Sequence, residues 1–548
     1  GDGIQAVSLG YQQVLPGEYY GLADAEYSSR WTWIPMLLDE SGLYRVTLPS
    51  SLQVARGLVR YRIQVTDAIG WMVRVPYDDD PQPNFAYFVH DGLPHWSASP
   101  TGGPEGIELF DFGTMRALPV YHFLAKRADI ADALFMPPST RSSGYMGNEY
   151  LWHGTLVYNG IVYDHVGFRA RGGAFRYATG KTQWKFDFLK GHLFQPVDDF
   201  GRAATLKRGK LNLSAGMQRA WTNRRGEQGM FEAMSYRLFD LAGVPAPDTN
   251  FVHLRVVDER EQAGSSQYEG DFWGLYLAIE EPDGRFLREH DLPDGNLYKM
   301  DVSGPILDNA GRLGPMDGSD VRAFIEGYQN PASDAAWWRQ NLDLEGYYSY
   351  RAVIEFVRHY DIGEGHNYYY YSNPETGRWS VLPWDVDLTW NSSAYGDGKE
   401  PFLAPLLGRP EFQIEYQNRL RELRDLLFNT EQIDALLQER ADLIDSPVDG
   451  PSMADANRAL WDYHPVLTSR YVAAGGWETR PGAFYAGAPD HTFRGMVELM
   501  RRFDQERIHT LDSTLLTDRD HPATPQILYT GAAGYPADTI RFRAGDFS

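Results

Sequence analysis

From Val59 to Val65 apolar and polar residues alternate (Val59-Arg60-Tyr61-Arg62-Ile63-Gln64-Val65), the period-2 pattern of a half-buried strand. Asp67-Ala68-Ile69-Gly70 has turn chemistry, and Trp71 to Val75 supplies the return strand. Turns at this spacing predict a small β-sandwich module of immunoglobulin or fibronectin type over residues 1–92. The Pro/Gly/Ser-rich stretch that follows makes 93–115 read as a linker. The period then changes. Residues 116–300 mix strands and helices, and 336–510 are mostly helical. Phe231, Met234, Leu238 and Leu241 share one helical face, which Gly243 and Pro245 end. Tyr350, Val353, Ile354 and Val357 form another, just before Asp361. Residues 516–548 turn β-like again, at Gln526–Tyr529 and Thr539–Phe542. They read as a tail or the start of a further β module, so the chain is expected to be part of a longer multidomain protein. The class is α+β.

Composition narrows the function. Of 548 residues, 43% are hydrophobic and 14% aromatic, enough for a large core. The net charge of −23 repels phosphate backbones, so no nucleic-acid partner is expected. No apolar run approaches the ~18–20 residues of a membrane helix, so no membrane span is expected. Gly1-Asp2-Gly3 opens no basic-then-apolar leader, so an export signal is expected to have been removed or never to have existed. Cysteine is absent, which excludes disulfides, thiol catalysis and cysteine-held metals. The balance fits an exported bacterial protein, extracellular or on the cell surface.

One region runs against the overall charge. Thirteen Lys and Arg residues lie between Arg169 and Arg225, against Asp187, Asp198 and Asp199. The counter-charge comes either from acidic surfaces elsewhere in the fold or from a bound polyanion. Two details favour the anion. Arg169 and Arg171 sit two apart on a predicted strand and so share a face. Gly172-Gly173 allows close approach of backbone N–H groups to a ligand. A nucleoside triphosphate fits better than RNA, because no basic–aromatic repeat runs through the chain.

The second signal is acidic. The helix ending at Asp361 leads into Gly363-Glu364-Gly365-His366-Asn367. Tyr368–Tyr371 and Trp379–Leu382 then read as the strands of a hairpin. A hairpin returns the chain, which brings Asp385 beside Asn367 and near Asp361. On an extended backbone Asp385 and Asp387 face one side. Such hard oxygen ligands suit Mg²⁺ or Mn²⁺, and phosphoryl transfer needs this set of groups. The bland alternative for Asp385 and Asp387 is a turn cap with surface partners.

These residues resemble the CotH kinase family of spore-coat-type secreted kinases. Val166-Gly167-Phe168-Arg169-Ala170-Arg171-Gly172-Gly173 followed by Lys181-Thr182-Gln183-Trp184 is similar to its N-lobe signature. Gly274 to Glu280 resembles its Gly-x-Tyr-x-x-x-Glu strand. Asp361, His366-Asn367-Tyr368 and Pro383-Trp384-Asp385 resemble its catalytic and metal segments. The resemblance implies an atypical protein-kinase-like, two-lobed domain over 116–515, with an N-lobe at about 116–300 and a helical C-lobe at about 301–515. It implies ATP with Mg²⁺ or Mn²⁺ and phosphorylation of Ser or Thr on an exported protein, whose identity the sequence leaves unknown. Asp361 would be the catalytic Asp. Asp385, Asn367 and Asp387 would hold metal. Lys181, Arg169, Arg171 and Glu280 would lie on the nucleotide side. Lys185 is the alternative to Lys181, and Glu364 the alternative to Asp361.

Two other functions compete. A kinase fold can persist as a silent adhesion scaffold. A glycan-acting enzyme would use the 15 Trp and 34 Tyr for stacking and two carboxylates for cleavage. Against the latter, Asp385 and Asp387 sit too close in sequence to flank a sugar from opposite faces.

Overall fold

In the computed structural model of the chain, β1 (Ile4–Val14), β2 (Thr32–Pro35), β3 (Leu58–Asp67), β4 (Met72–Val75) and β5 (Phe85–Phe88) form one antiparallel sheet. Its order is β2-β1-β3-β4, with β5 paired to the first half of β3. The structure describes residues 3–135, 146–173, 176, 179–218, 222, 224–362, 365–392, 400–447, 450–469, 480–518, 527–530 and 542–544. The period-2 pattern of β3 holds, but its faces are used unexpectedly. Arg60 and Arg62 are buried, while Tyr61, Ile63 and Val65 are half-exposed. The buried side meets a polar seam on the next unit, so the arginines are the residues that belong there.

Residues 93–115, read as a linker, carry a hairpin of β6 (Trp96–Ala98) and β7 (Glu108–Phe110). The Trp96 ring lies 5.4 Å from Phe110 and 4.5 Å from Phe272. Pro and Gly mark only the tip of this hairpin; its aromatic strands anchor it to the core.

A closed barrel follows. It consists of β8 (Val120–Leu124), β9 (Trp152–Tyr158), β10 (Ile161–Ala170), β11 (Trp184–Asp187), β12 (Lys210–Ser214), β13 (Thr249–Val257) and β14 (Phe272–Ile279). The order is β8-β9-β10-β11-β12-β14-β13, and a parallel β8–β13 pairing closes it. Phe123, Phe168, Trp184, Phe186 and Tyr276 fill its interior. On β10 the register slips: Leu156 faces Tyr163 and Gly154 faces Val166, which leaves Asp164 and His165 opposite Thr155. This is a bulge, with His165 at φ 57°. It lets Tyr163, Val166 and Phe168 all point inward while Asp164 and Arg169 point out.

Helix α1 (Met230–Leu241) lies beside the barrel; Phe231, Met234 and Leu238 enter the main core as their spacing predicts, whereas Leu241, at the helix end, is exposed. A second sheet, β16-β15-β17-β18, comprises β15 (Leu297–Asp301), β16 (Gly304–Asn309), β17 (Tyr368–Ser372) and β18 (Trp379–Pro383). Helix α2 (Leu344–Val357), capped by Asp343 accepting from the Gly346 N–H, runs into it. Then come α3 (Pro410–Leu426), α4 (Thr430–Ile444), α5 (Met453–Trp461) and α6 (Phe493–Thr510). Tyr368–Tyr371 are all buried, and Phe324 stacks on Trp379 at 4.8 Å, so the tyrosine run is sheet core. The chain is α+β. Among the described residues no helix is long and apolar enough to cross a membrane. Near the end Ile527–Tyr529 pairs with Phe542–Ala544; Gln526 and 539–541 lie outside the described residues.

Candidate functional site

Helix α2 ends at Arg358, which is left-handed at φ 49°. Tyr360 N–H then donates to Leu388 O at 3.3 Å, tying the loop that carries Asp361 to the segment after β18. Asn367, at φ 68°, donates from Nδ2 to Asp361 Oδ2 (3.0 Å) and Asp361 O (2.9 Å). The β17–β18 register pairs Tyr368 with Pro383, so Asn367 and Asp385 leave the hairpin at one end. Asp385 is not in an extended strand: its φ is 54°, and residues 386–388 turn. Two non-glycine residues in the left-handed region cost of order 1–3 kcal/mol each and persist only where surroundings over-determine them. Here Asp385 N–H donates to Tyr236 Oη at 3.2 Å, and Gln218 Nε2 donates to Asp387 O at 2.6 Å. Trp390 Nε1 donates to Ser235 Oγ at 3.0 Å. Helix α1 therefore braces the loop through Ser235 and Tyr236.

The charges converge. Burial, then the charges of Asp385, Glu232 and Asp361, pushes the Asp387 carboxyl well above its usual range, against the pull of Arg171. Burial raises Glu232 to about 7 against the pull of Arg171 and of the Ser214 hydroxyl, which donates to Glu232 Oε2, while Asp385 adds to the rise. Glu232 was missed by motif reading. Its signal is an acid set within Met230-Phe231-Glu232-Ala233-Met234, where charge is disfavoured unless it is used. Among the described residues Arg171 is the cation named beside these four carboxylates, whose oxygens are of the hard type a divalent cation takes, while only Asp248, Glu280 and His290 bring three ligand atoms within 4.8 Å of one another.

Arg169 and Arg171 divide the cationic side between them. Arg171 lies 5.5 Å from the Trp384 ring, which Lys299 also approaches at 5.5 Å. Arg169 pairs across the barrel face with Lys185, and Lys185 with Asn212. Lys185 Nζ reaches Glu281 Oε1 at 2.8 Å, and Asn212 Nδ2 reaches Glu281 Oε2 at 2.6 Å. Against its burial, Lys185 and Lys210 pull Glu281 down to about 2.

The structure does not bring Lys181 or Glu280 to this cluster. Lys181 is fully buried and donates to Ala215 O, Leu275 O and Asn457 Oδ1, with Tyr276 under its ammonium at 4.1 Å. Burial holds its pKa well below the lysine range; Glu227 raises it and Arg225 lowers it. Glu280 is one residue from Glu281 and so faces the other way. It accepts from His290 Nε2 at 2.9 Å and lies 3.5 Å from Arg208 Nε. Asp248, Glu280 and His290 offer ligand atoms within 4.8 Å of one another. Arg208 already holds Asp248 at 2.9 Å, and His290 is raised by its bond to Glu280 against burial, so this triad reads as an ion-paired network. Glu364 and Arg219 lie outside the described residues.

The α+β chain thus gathers Asp361, Asn367, Asp385, Asp387 and Glu232 beside the barrel-borne Arg171. The sequence model of the CotH kinase protein family matches residues 168–465, more than half of the chain and the whole of this site. The chain belongs to that family. It is also 24% identical over 238 residues to inner spore coat protein H of Bacillus subtilis (strain 168), a match covering 37% of this chain and 61% of that protein. The chain thus spans less than two thirds of the length of that relative.

Proposed function

We propose that this chain is an ATP- and divalent-metal-dependent phosphotransferase of atypical protein-kinase-like build, acting on Ser or Thr of an exported or surface protein. The two lobes would be 116–300, around the barrel, and 301–515, carrying the acidic loop, with residues 1–92 an accessory β module. The observation that carries the reading is the convergence of Asp361, Asp385, Asp387 and Glu232 on Arg171. Asp385, Asp387 and Asn367 would hold Mg²⁺ or Mn²⁺, which when bound neutralises the polyphosphate. Arg171 and Arg169, with Lys185 in place of Lys181, would line the nucleotide side. Asp361, oriented by the Asn367 amide, would take the proton of the acceptor hydroxyl as that oxygen attacks the γ-phosphorus and the bond to ADP breaks. A surface or coat location is supported by the spore-coat relative.

A silent scaffold is the second reading, favoured by Lys185 being already paired with Glu281. Incubation of the full chain with γ-labelled ATP, Mn²⁺ and dephosphorylated casein separates the two. The wild type should bind ATP in a metal-dependent manner and transfer label. Asp385→Asn should lose both, and Asp361→Asn should lose transfer alone. No metal-dependent ATP binding, or binding without any transfer of label, overturns the phosphotransferase and leaves the scaffold; transfer of label by the wild type overturns the scaffold.

A further inference from the structure

The N-terminal sheet turns its arginines inward and an apolar side outward. Its register sets three rows across the outer face: Val7, Val65 and Val73; Leu9, Ile63 and Val75; and Tyr11, Tyr61 and Phe85. Val73, Val75 and Phe85 are exposed at 50%, 41% and 38%, and Tyr61, Ile63 and Val65 are half-buried. None of these six side chains joins a hydrophobic core cluster among the described residues. Contiguous apolar surface of this kind marks an interaction face in a soluble protein.

The face carries both halves of a joint. Trp71 lies two residues before Val73 and opposite Asp67, so it stands on the same side of the sheet, and it is 74% exposed. Towards the other end, the short hairpin of Leu37–Leu38 and Tyr44–Arg45 reaches over the sheet and leaves an open cleft of about 850 Å³. Leu9, Tyr61 and Tyr87 floor this cleft, and Met36, Leu38 and Leu48 wall it. The six residues of β3 from Tyr61 to Asp67 separate knob from cleft by roughly 20 Å. A two-fold axis through the face between them sets the Trp71 of each copy over the cleft of the other, which is the self-complementary arrangement of an isologous dimer.

Charge and area favour a second copy as the occupant. The chain carries −23, yet the nine row positions hold no charged side chain, and in the cleft Asp39 and Arg45 pair with each other. The face therefore offers no acids for a basic partner to read, and copies that repel elsewhere do not repel here. Four strands wide and as long as β3, it measures roughly 20 Å by 30 Å. With the hairpin and the Trp71 knob added, that is of the order of the ~800 Å² per partner buried in stable complexes. We propose that the chain forms a homodimer through this face, with the two sheets stacked ~10 Å apart and each Trp71 seated in the cleft of the other copy. The pairing uses neither the barrel nor the acidic loop, so it stands apart from the phosphotransferase reading.

Sedimentation equilibrium of the full chain, without nucleotide or metal, should reach twice the chain mass within ~1–100 µM. Trp71→Ala removes the knob and Leu38→Glu puts a charge in the cleft wall. Both positions are exposed, so the circular dichroism spectrum and the thermal midpoint of dilute protein should not change. Each substitution should raise the dimer dissociation constant at least about thirtyfold, the size of an interface anchor. A chain that stays monomeric to ~100 µM overturns the proposal, whatever else is then found to cover the face. A dimer whose dissociation constant is unmoved by both substitutions overturns it too.

Discussion

Strand β10 feeds two buried charge clusters of opposite character. At its bulge Asp164 meets Arg60 of the N-terminal sheet, both fully buried, through two bonds of 2.7 and 3.0 Å. Asp164 also accepts from Thr155, Asn84 and the His165 N–H, and His165 bonds Tyr19 and Asn84. Every charge there is answered. Just beyond the other end of the strand Arg171 faces Asp385, Asp387 and Glu232, where acids outnumber it. Against its burial, Arg60 holds Asp164 far below the usual carboxylate range, whereas burial and like charge drive Asp387 far above it. The first cluster joins two sheets. The second, with its left-handed Asn367 and Asp385, stores strain and repulsion that a cationic ligand would relieve. The two clusters thus differ in how far their buried charges are answered by opposite charge.

The largest effect should come from breaking the balanced cluster. Asp164→Ala leaves the buried Arg60 without its carboxylate, with only Gln12 Oε1 and Tyr20 O still accepting from it, and should cost ~3–5 kcal/mol in urea unfolding. A loss below ~1 kcal/mol would mean the seam is hydrated. Because the native carboxyl is depressed, its stabilisation is present above the ordinary Asp value of ~3.9 and is lost as pH falls below it. Acid unfolding curves of wild type and variant should converge at low pH.

The unbalanced cluster should respond in the opposite sense. Manganese at about a hundred times its dissociation constant should raise wild-type stability by ~2.7 kcal/mol, and Asp385→Asn should abolish that gain without lowering the metal-free midpoint. Glu232 tests the pH sign. Its native value is raised from 4.5 to about 7, so metal-free stability should fall as pH rises through that window. Glu232→Gln should flatten this slope in unfolding curves taken between those values.

The two lysines sharpen the contrast further. Lys181→Met strips a buried donor from three acceptors and should cost ~1–3 kcal/mol of stability with nucleotide affinity intact. Lys185→Met should weaken ATP about tenfold in calorimetry and should also cost stability, because the buried Glu281 loses its nearest cation. The smallest change belongs to an exposed pair: Arg74→Ala, removing a contact of 3.3 Å to Asp78, should move the urea midpoint by less than ~0.5 kcal/mol.

Much of the acidic half was legible because it is local. Asp361, Asn367 and Asp385 lie within one helix–loop–hairpin, and alternation with a turn signal sets the hairpin that joins them. The face-sharing argument for Asp385 and Asp387 reached proximity by the wrong geometry: a left-handed turn, not a straight strand, brings them together. The cationic half was less legible. Arg169 and Arg171 were picked by spacing, but Lys181 against Lys185 and Glu280 against Glu281 are questions of strand phase. The residues labelled a linker illustrate another limit, since glycine and proline report a turn without saying whether its flanks pack.

Sequence by itself determined the α+β class, the helical faces, the family and the acid–amide loop, because these depend on periodicity and on contacts between near neighbours in the chain. Tertiary structure alone decided that Arg60 is buried, that Glu232 joins the carboxylates and that Lys181 does not. A single bulge at Asp164–His165 shifts which side of β10 faces out, and barrel closure then chooses which distant strands lie next to it. Neither quantity is written in composition or spacing, since one inserted residue of register inverts every later side chain.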